Sequence, residues 1–271
     1  MTENTVADRG LVLLGCGKMG SAMLAGWLSQ GLPSQSVWVV DPQPSDWLVG
    51  QGVHLNEDLP PAPAIVIVAV KPQMMGAALP EISALGGGAT VFLSVAAGTP
   101  IAQFERILGP GTPVIRAMPN TPAAIGRGIT ALIGNTYVSA TQLEMAESLL
   151  GAVGQTVRLE NEAQMDAVTG VSGSGPAYVF HLIEALAAAG TAQGLSPDLA
   201  LHLARATVAG AGDLAEKSED GPDQLRRNVT SPGGTTQAAL QVLMDAETGF
   251  PALLNRAVSA ATKRSQELSS A

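Results

Sequence analysis

Two short stretches carry the residue types and spacings that could do chemistry. In "LVLLGCGKMGSAML" (11–24), Gly15, Gly17 and Gly20 follow the spacing G-x-G-x-x-G between an apolar run and a helical pattern. Gly15 permits a tight turn, Gly17 lets the backbone approach a diphosphate, and Gly20 lets a helix pack on a strand. Helix N-terminal amides then face the anion. Asp41 follows at the end of the next apolar run, where a carboxylate meets ribose hydroxyls. The pattern predicts dinucleotide binding. Asp41 would repel a 2′-phosphate, and "DPQPSDW" offers no Lys or Arg to neutralise one, so NADH is favoured over NADPH. The second stretch is "NVTSPGGTTQAAL" (228–240). Ser231, Thr235, Thr236 and the pair Gly233-Gly234 precede an apolar helical run. Amides and hydroxyls at a helix start form an anion site, each charge-assisted contact being worth about 1.5–3 kcal/mol. Plain hydroxyl capping is the alternative, but one cap needs one hydroxyl.

With a nicotinamide in place, the open question is which group accepts hydride. Ketone reduction makes an alkoxide and calls for a His, Tyr or Lys acid. The three histidines serve this poorly: His54 lies in a polar turn, while His181 and His202 fall inside helical patterns. A protonated imine is already cationic and yields a stable amine, so it needs an anchor more than an acid. The balance points to C=N reduction.

Three further loops should line the ligand crevice at the carboxyl ends of strands. "VAVKPQ" (68–73) places Lys71 and Pro72 there, "SVAAGTP" (94–100) adds small residues including Ala97, and "RAMPNTPAAIGRG" (116–128) is braced by prolines. Positioning these loops requires an alternating β/α chain. Runs at 11–14, 37–40, 64–70, 90–95, 113–117 and 129–134 read as strands, several of them apolar without alternation, as strands covered on both faces are. Helical patterns intervene, among them 19–27, 101–108 and 141–150. The expected fold class is α/β: an N-terminal Rossmann domain with a doubly wound parallel sheet over residues 1–160. An all-helical substrate-binding and dimerisation domain over 161–271 follows, with helices at 164–190, 196–217, 235–246 and 251–268. Its Ala- and Leu-rich faces, as in "LIEALAAAG", are wide for so small a domain; a dimer interface or a tight core would cover them.

Composition narrows the partners. The formal net charge of −9 disfavours nucleic acid and anionic membrane. Hydrophobic content of 46% with only 3% aromatics implies an aliphatic, closely packed interior. No apolar run reaches the roughly 18 residues of a membrane span, and the polar start "MTENTVADRG" does not read as a targeting segment, which suggests a cytoplasmic protein. Cys16 is the single cysteine, so no internal disulfide or zinc cluster is expected.

Together, "GCGKMGSAM", "VAVKPQ", "SVAAGTP", "RAMPNTPA", "AVTGVSGSGPAY" and "NVTSPGGTTQAAL" resemble, in order, the Δ1-pyrroline-5-carboxylate reductases of proline biosynthesis. The resemblance implies NAD(P)H-dependent reduction of L-1-pyrroline-5-carboxylate to L-proline. It also implies an interlocked homodimer, often assembled into decamers, in which C-terminal helices of both subunits complete each active site. By motif, Gly15, Cys16, Gly17, Lys18, Met19, Gly20, Asn56, Ala69, Val70, Lys71, Pro72 and Ala97 would contact the dinucleotide, with Asn228 near it. Ser231, Gly233, Gly234, Thr235 and Thr236 would hold the substrate carboxylate, Thr236 and Ser231 serving catalysis with the Thr236 hydroxyl near the imine nitrogen. Glu162 and Glu219 would lie near the substrate. Family members often use NADPH and carry a small polar residue where Asp41 stands. Two other readings remain: a β-hydroxyacid-type dehydrogenase, which needs a lysine on a helix of the second domain where Lys217 lies at a helix end without the matching Gly-rich motif, and a non-catalytic dinucleotide sensor.

Overall fold

A computed structural model describes residues 2–269, with side chains from Val6 onward. The chain forms two compact units, one running to Gly173 and including the C-terminal segment from Ala261, the other spanning Ser174–Ala260. In chain order the first unit contains α1 (Thr2–Arg9), β1 (Leu11–Leu14), α2 (Lys18–Ser29), β2 (Val37–Val40), α3 (Asp46–Val49), β3 (His54–Leu55) and β4 (Ile65–Val68). It continues with α4 (Met75–Glu81), β5 (Val91–Ser94), α5 (Ile101–Leu108), β6 (Val114–Met118), β7 (Gly128–Gly134), α6 (Ala140–Gly151), β8 (Gly154–Arg158) and α7 (Gln164–Val168).

One eight-stranded sheet orders these strands β3-β2-β1-β4-β5-β6-β7-β8. The turn of strand order at β1 is the doubly wound arrangement, with Leu11 paired in parallel to both Val37 and Ile65. Every residue of β1, β4 and β5 is buried, because helices cover both faces of a parallel sheet. Two cores result, one on each face: Trp27, Met23 and Leu150 fill one, Phe92, Phe104 and Met75 the other.

The expected all-parallel pairing fails at one edge. β7 runs antiparallel to β6, and β8 then pairs parallel to β7. Only a short loop separates Met118 from Gly128, fewer than the dozen or so residues of a parallel crossover. β8 itself, "GQTVR", is half-exposed and polar, so hydropathy did not announce it.

The second unit contains α8 (Gly175–Ala192), α9 (Pro197–Lys217), α10 (Pro222–Asn228) and α11 (Thr235–Leu243); α12 (Phe250–Ser269) begins in it. The helix expected over 164–190 is instead split. A π-helical turn, Thr169–Gly173, separates α7 from α8, and Pro176 sits in the first turn of α8, where its missing N–H costs nothing. Residues 222–228, between the helices expected at 196–217 and 235–246, form the further helix α10, with Gly221 as its N-cap. Gly190 lets α8 approach α9, its Cβ position lying 3.3 Å from the Ala200 Cβ. Apart from this pair the unit buries little: α8 has no buried residue, and Val179, Phe180, Leu182 and Leu186 stand exposed along it.

Candidate active site

The glycine-rich turn is built as its spacing predicted. Gly15 has φ +86°, and a side chain there would meet Val70 and the Ala69 carbonyl. A Cβ on Gly20 would lie 2.5 Å from the Gly15 oxygen, so only glycine lets α2 pack this close. Around Gly17 nothing stands within 4 Å of the Cβ position. Gly17 is also the N-cap of α2 and supplies no side-chain cap, which leaves first-turn amides beside open space. An anionic diphosphate fits there, and Gly17, Lys18 and Met19 would hold it.

Asp41 does more than end β2. Its Oδ2 accepts the Cys16 amide at 2.7 Å and its Oδ1 the Gln43 amide at 2.9 Å. The carboxylate thus braces the turn while keeping further lone pairs for a ribose. Asn56, in the left-handed region at φ 54°, exchanges two hydrogen bonds with the Asp41 backbone, both 2.9 Å. Burial and the nearby Asp41 charge push the Cys16 thiol up to about 11.

Ala69, Val70, Lys71 and Pro72 follow β4 at the carboxyl edge of the sheet, with Lys71 and Pro72 exposed. Residues 96–100 follow β5 beside them, and the C-terminal end of α12 covers this loop: the Cβ position of Gly98 lies 3.1 Å from the Leu268 Cβ. Asn120, after β6, accepts the Ile129 amide and donates to the Ser172 carbonyl at 3.3 Å, tying the proline loop to the π turn.

Glu162 is anchored at the same edge. Its Oε1 accepts both the Arg116 guanidinium at 2.8 Å and the Ile101 amide at 2.9 Å. The resemblance singled out Glu162; Arg116 opens the "RAMPNTPA" motif but was given no role, since its partner lies 46 residues away in sequence.

In the second unit, the turn at 231–236 departs from expectation in detail. Gly233 and Gly234 were expected to expose their amides. Instead Gly233 donates to Gln237 Oε1 at 2.6 Å and Gly234 to the Ser231 carbonyl at 3.0 Å, because the tight turn consumes its own donors. Gly233 earns its place by conformation, at φ +69°. The N-cap of α11 is Gly234, with no side-chain cap. Ser231, Thr235 and Thr236 therefore cap nothing, and their hydroxyls have no partner among the described residues. The open donors are these hydroxyls and the first-turn amides from Thr235 on. Plain capping does not explain the surplus.

The remaining candidates are more dispersed. Glu219 is exposed between α9 and α10. Asn228 ends α10 with both side-chain groups engaged, accepting from Gln224 at 2.6 Å and donating to Asp220 at 3.1 Å. Lys217 sits in an exposed pair with Asp213 at 2.6 Å. His54 corrects the polar-turn reading: it lies in β3 and stacks on Trp38 at 4.4 Å. His181 is largely exposed on α8.

A doubly wound sheet with an open glycine-rich turn, followed by a helical unit in which no side chain caps the start of α11, is the architecture of a two-domain oxidoreductase of the dinucleotide-binding class. Residues 162–268 match the family described as pyrroline-5-carboxylate reductase dimerisation, and residues 10–98 that described as NADP oxidoreductase coenzyme F420-dependent. A pyrroline-5-carboxylate reductase of Pseudomonas aeruginosa is 40% identical over 264 residues, covering 95% of this chain and 96% of that one. Among solved structures, a pyrroline-5-carboxylate reductase of Coxiella burnetii superposes with a TM-score of 0.90 at 33% identity, covering 96% and 98% of the two chains. The Plasmodium falciparum pyrroline carboxylate reductase, with NADP bound, gives 0.83 at 28% identity over 97% and 98%. The chain belongs to the pyrroline-5-carboxylate reductase family.

Proposed function

We propose that this chain reduces L-1-pyrroline-5-carboxylate to L-proline, the closing step of proline biosynthesis. The observation that carries the reading is the set of hydroxyls at the start of α11 that cap nothing, in a chain 40% identical to a relative bearing that reductase name. A bound NADH or NADPH supplies the hydride, which goes to the ring carbon of the C=N group. The chain's own residues bind and orient. Gly15, Gly17 and Gly20 shape the diphosphate turn, and the loops after β4 and β5 (Ala69, Val70, Lys71, Pro72, Ala97) continue the cofactor track. Ser231, Thr235 and Thr236 grip the substrate carboxylate through hydroxyls and first-turn amides. The Thr236 hydroxyl stands near the ring nitrogen, which becomes a neutral amine once hydride has been added to the iminium and then takes up a proton from water, directly or through that hydroxyl. Because the iminium is already cationic, no buried histidine is required.

Asp41 leads us to infer a preference for NADH. Its charge stands beside the glycine-rich turn, and no Lys or Arg follows it in "DPQPSDW" to receive a 2′-phosphate. The exposed apolar residues of α8 and the match to a dimerisation family support a homodimer, with decamers as the larger assembly the resemblance implies. The lysine of the β-hydroxyacid dehydrogenase reading finds no support, since Lys217 is paired with Asp213 on an exposed helix end.

The test is isotopic. Dinucleotide carrying deuterium at the transferring position, incubated with the protein and pyrroline-5-carboxylate, should yield proline heavier by one mass unit. Proline without the label, or none, would overturn the reading.

A further inference from the structure

Arg116 lies on β6 opposite Ser94 of β5 and is 4% exposed. A buried cation needs a partner, and its partner is Glu162, 46 residues away. The contact is asymmetric. Oε1 of Glu162 takes both Arg116 and the Ile101 amide, while Oε2 has no hydrogen-bond partner among the described residues. The Glu162 side chain is 33% exposed. Two donors on one oxygen fix the carboxylate and leave the other oxygen open.

The surroundings stiffen this arrangement. Ile101 opens α5 directly after the 96–100 loop, and its N-cap, Pro100, offers no side-chain cap, so Glu162 supplies one from a distance. Just beyond Glu162, Asp166 accepts the Ser265 hydroxyl at 2.6 Å, with Ser265 buried. The segment carrying Glu162 is held on both sides, and it shares an anchor with the loop bearing Ala97.

We infer that Arg116 is a positioning residue for the reaction. By holding Glu162 Oε1 it sets the open Oε2 as an acceptor for the cationic N–H of the cyclic imine, in fixed relation to the 96–100 loop. The inference rests on reading Glu162 as a substrate-side group. Arg116 does not touch the substrate; it acts through Glu162.

Glu162→Gln isolates that open acceptor, because the amide oxygen can still serve Arg116 and Ile101 while the open position becomes a donor. Steady-state kinetics with pyrroline-5-carboxylate, dinucleotide affinity by fluorescence and Tm are measured for Glu162→Gln, Arg116→Met, Arg116→Lys and the Met/Gln double variant. Glu162→Gln should raise the imino-acid KM about tenfold, the worth of roughly one charge-assisted hydrogen bond. Arg116→Met should raise it by a similar factor, with Arg116→Lys recovering part of the loss. The double variant should be no worse than the worse single, since nothing is left to position. Dinucleotide affinity should move by no more than about twofold, the scatter expected of independent sites. An unchanged KM in Glu162→Gln would overturn the substrate-side reading of Glu162, and this inference with it. A raised KM in Glu162→Gln beside an unchanged one in Arg116→Met, or effects that multiply in the double variant, would overturn the role of Arg116 alone. Should Arg116→Met not fold, the Arg116→Lys and Glu162→Gln cycle is read by the same rule.

Discussion

Thr236→Ala separates a ligand-binding hydroxyl from a helix cap, because the two roles predict opposite outcomes. A Thr that caps a helix costs about 0.5–2 kcal/mol of stability when truncated to Ala. Here Gly234 occupies the N-cap of α11 and no side chain caps it, so that loss should not occur. Alanine is also the better helix former, by up to about 0.7 kcal/mol. Tm should therefore stay constant or rise slightly. Function should suffer instead. A hydrogen bond to a charged group is worth about 1.5–3 kcal/mol, and every 1.4 kcal/mol is about tenfold, so kcat/KM for pyrroline-5-carboxylate should fall roughly tenfold to a hundredfold. Dinucleotide affinity should be untouched. The assay pairs imine-dependent NAD(P)H oxidation with thermal unfolding followed by circular dichroism. Wild-type kcat/KM in the variant refutes the role given to Thr236. A loss of several degrees in Tm refutes the claim that its hydroxyl caps nothing.

Other consequences are open to direct measurement. Asp41→Ser should raise the NADPH-to-NADH ratio of kcat/KM about tenfold, because two charges near 4 Å repel by about 1 kcal/mol even in water and a 2′-phosphate carries nearly two. The braced turn should also bind both coenzymes less tightly, as the Cys16 and Gln43 amides lose their acceptor. Cys16, with its thiol raised from 9.0 to about 11, should react with iodoacetamide at pH 8 about a hundredfold more slowly than an ordinary thiol, since only the thiolate attacks; labelling at the ordinary rate would contradict the buried environment. Phe180→Asp, on the exposed face of α8, should shift the protein toward monomer in light scattering, and an unchanged mass would place the interface elsewhere.

The sequence disclosed most where one residue type answers one local demand. Gly15 and Gly20 each had a separate reason to be glycine that the turn shows, and Gly17 faces open space. The buried strands β1, β4 and β5 were plain as apolar runs. What escaped depends on partners distant in sequence or on backbone detail. The antiparallel turn to β7 follows from loop length, and β8 is too polar to read as a strand. The π turn at Thr169–Gly173 is a backbone detail that the residue types of "TGVSG" do not announce. Glu162 was named by resemblance, yet its hold on Arg116 and Ile101 depends on tertiary contacts spanning 46 and 61 residues. In the 231–236 turn the expected division of labour differs: the glycine amides serve the turn, and the hydroxyls remain open.

The most direct test follows NADH and NADPH oxidation side by side, with pyrroline-5-carboxylate as the only acceptor. Oxidation of both that requires the imine, is faster with NADH and matches proline formed mole for mole is the expected result. Dinucleotide that binds but is not oxidised in the presence of the imine would contradict the proposed reduction and leave only a sensor of redox state.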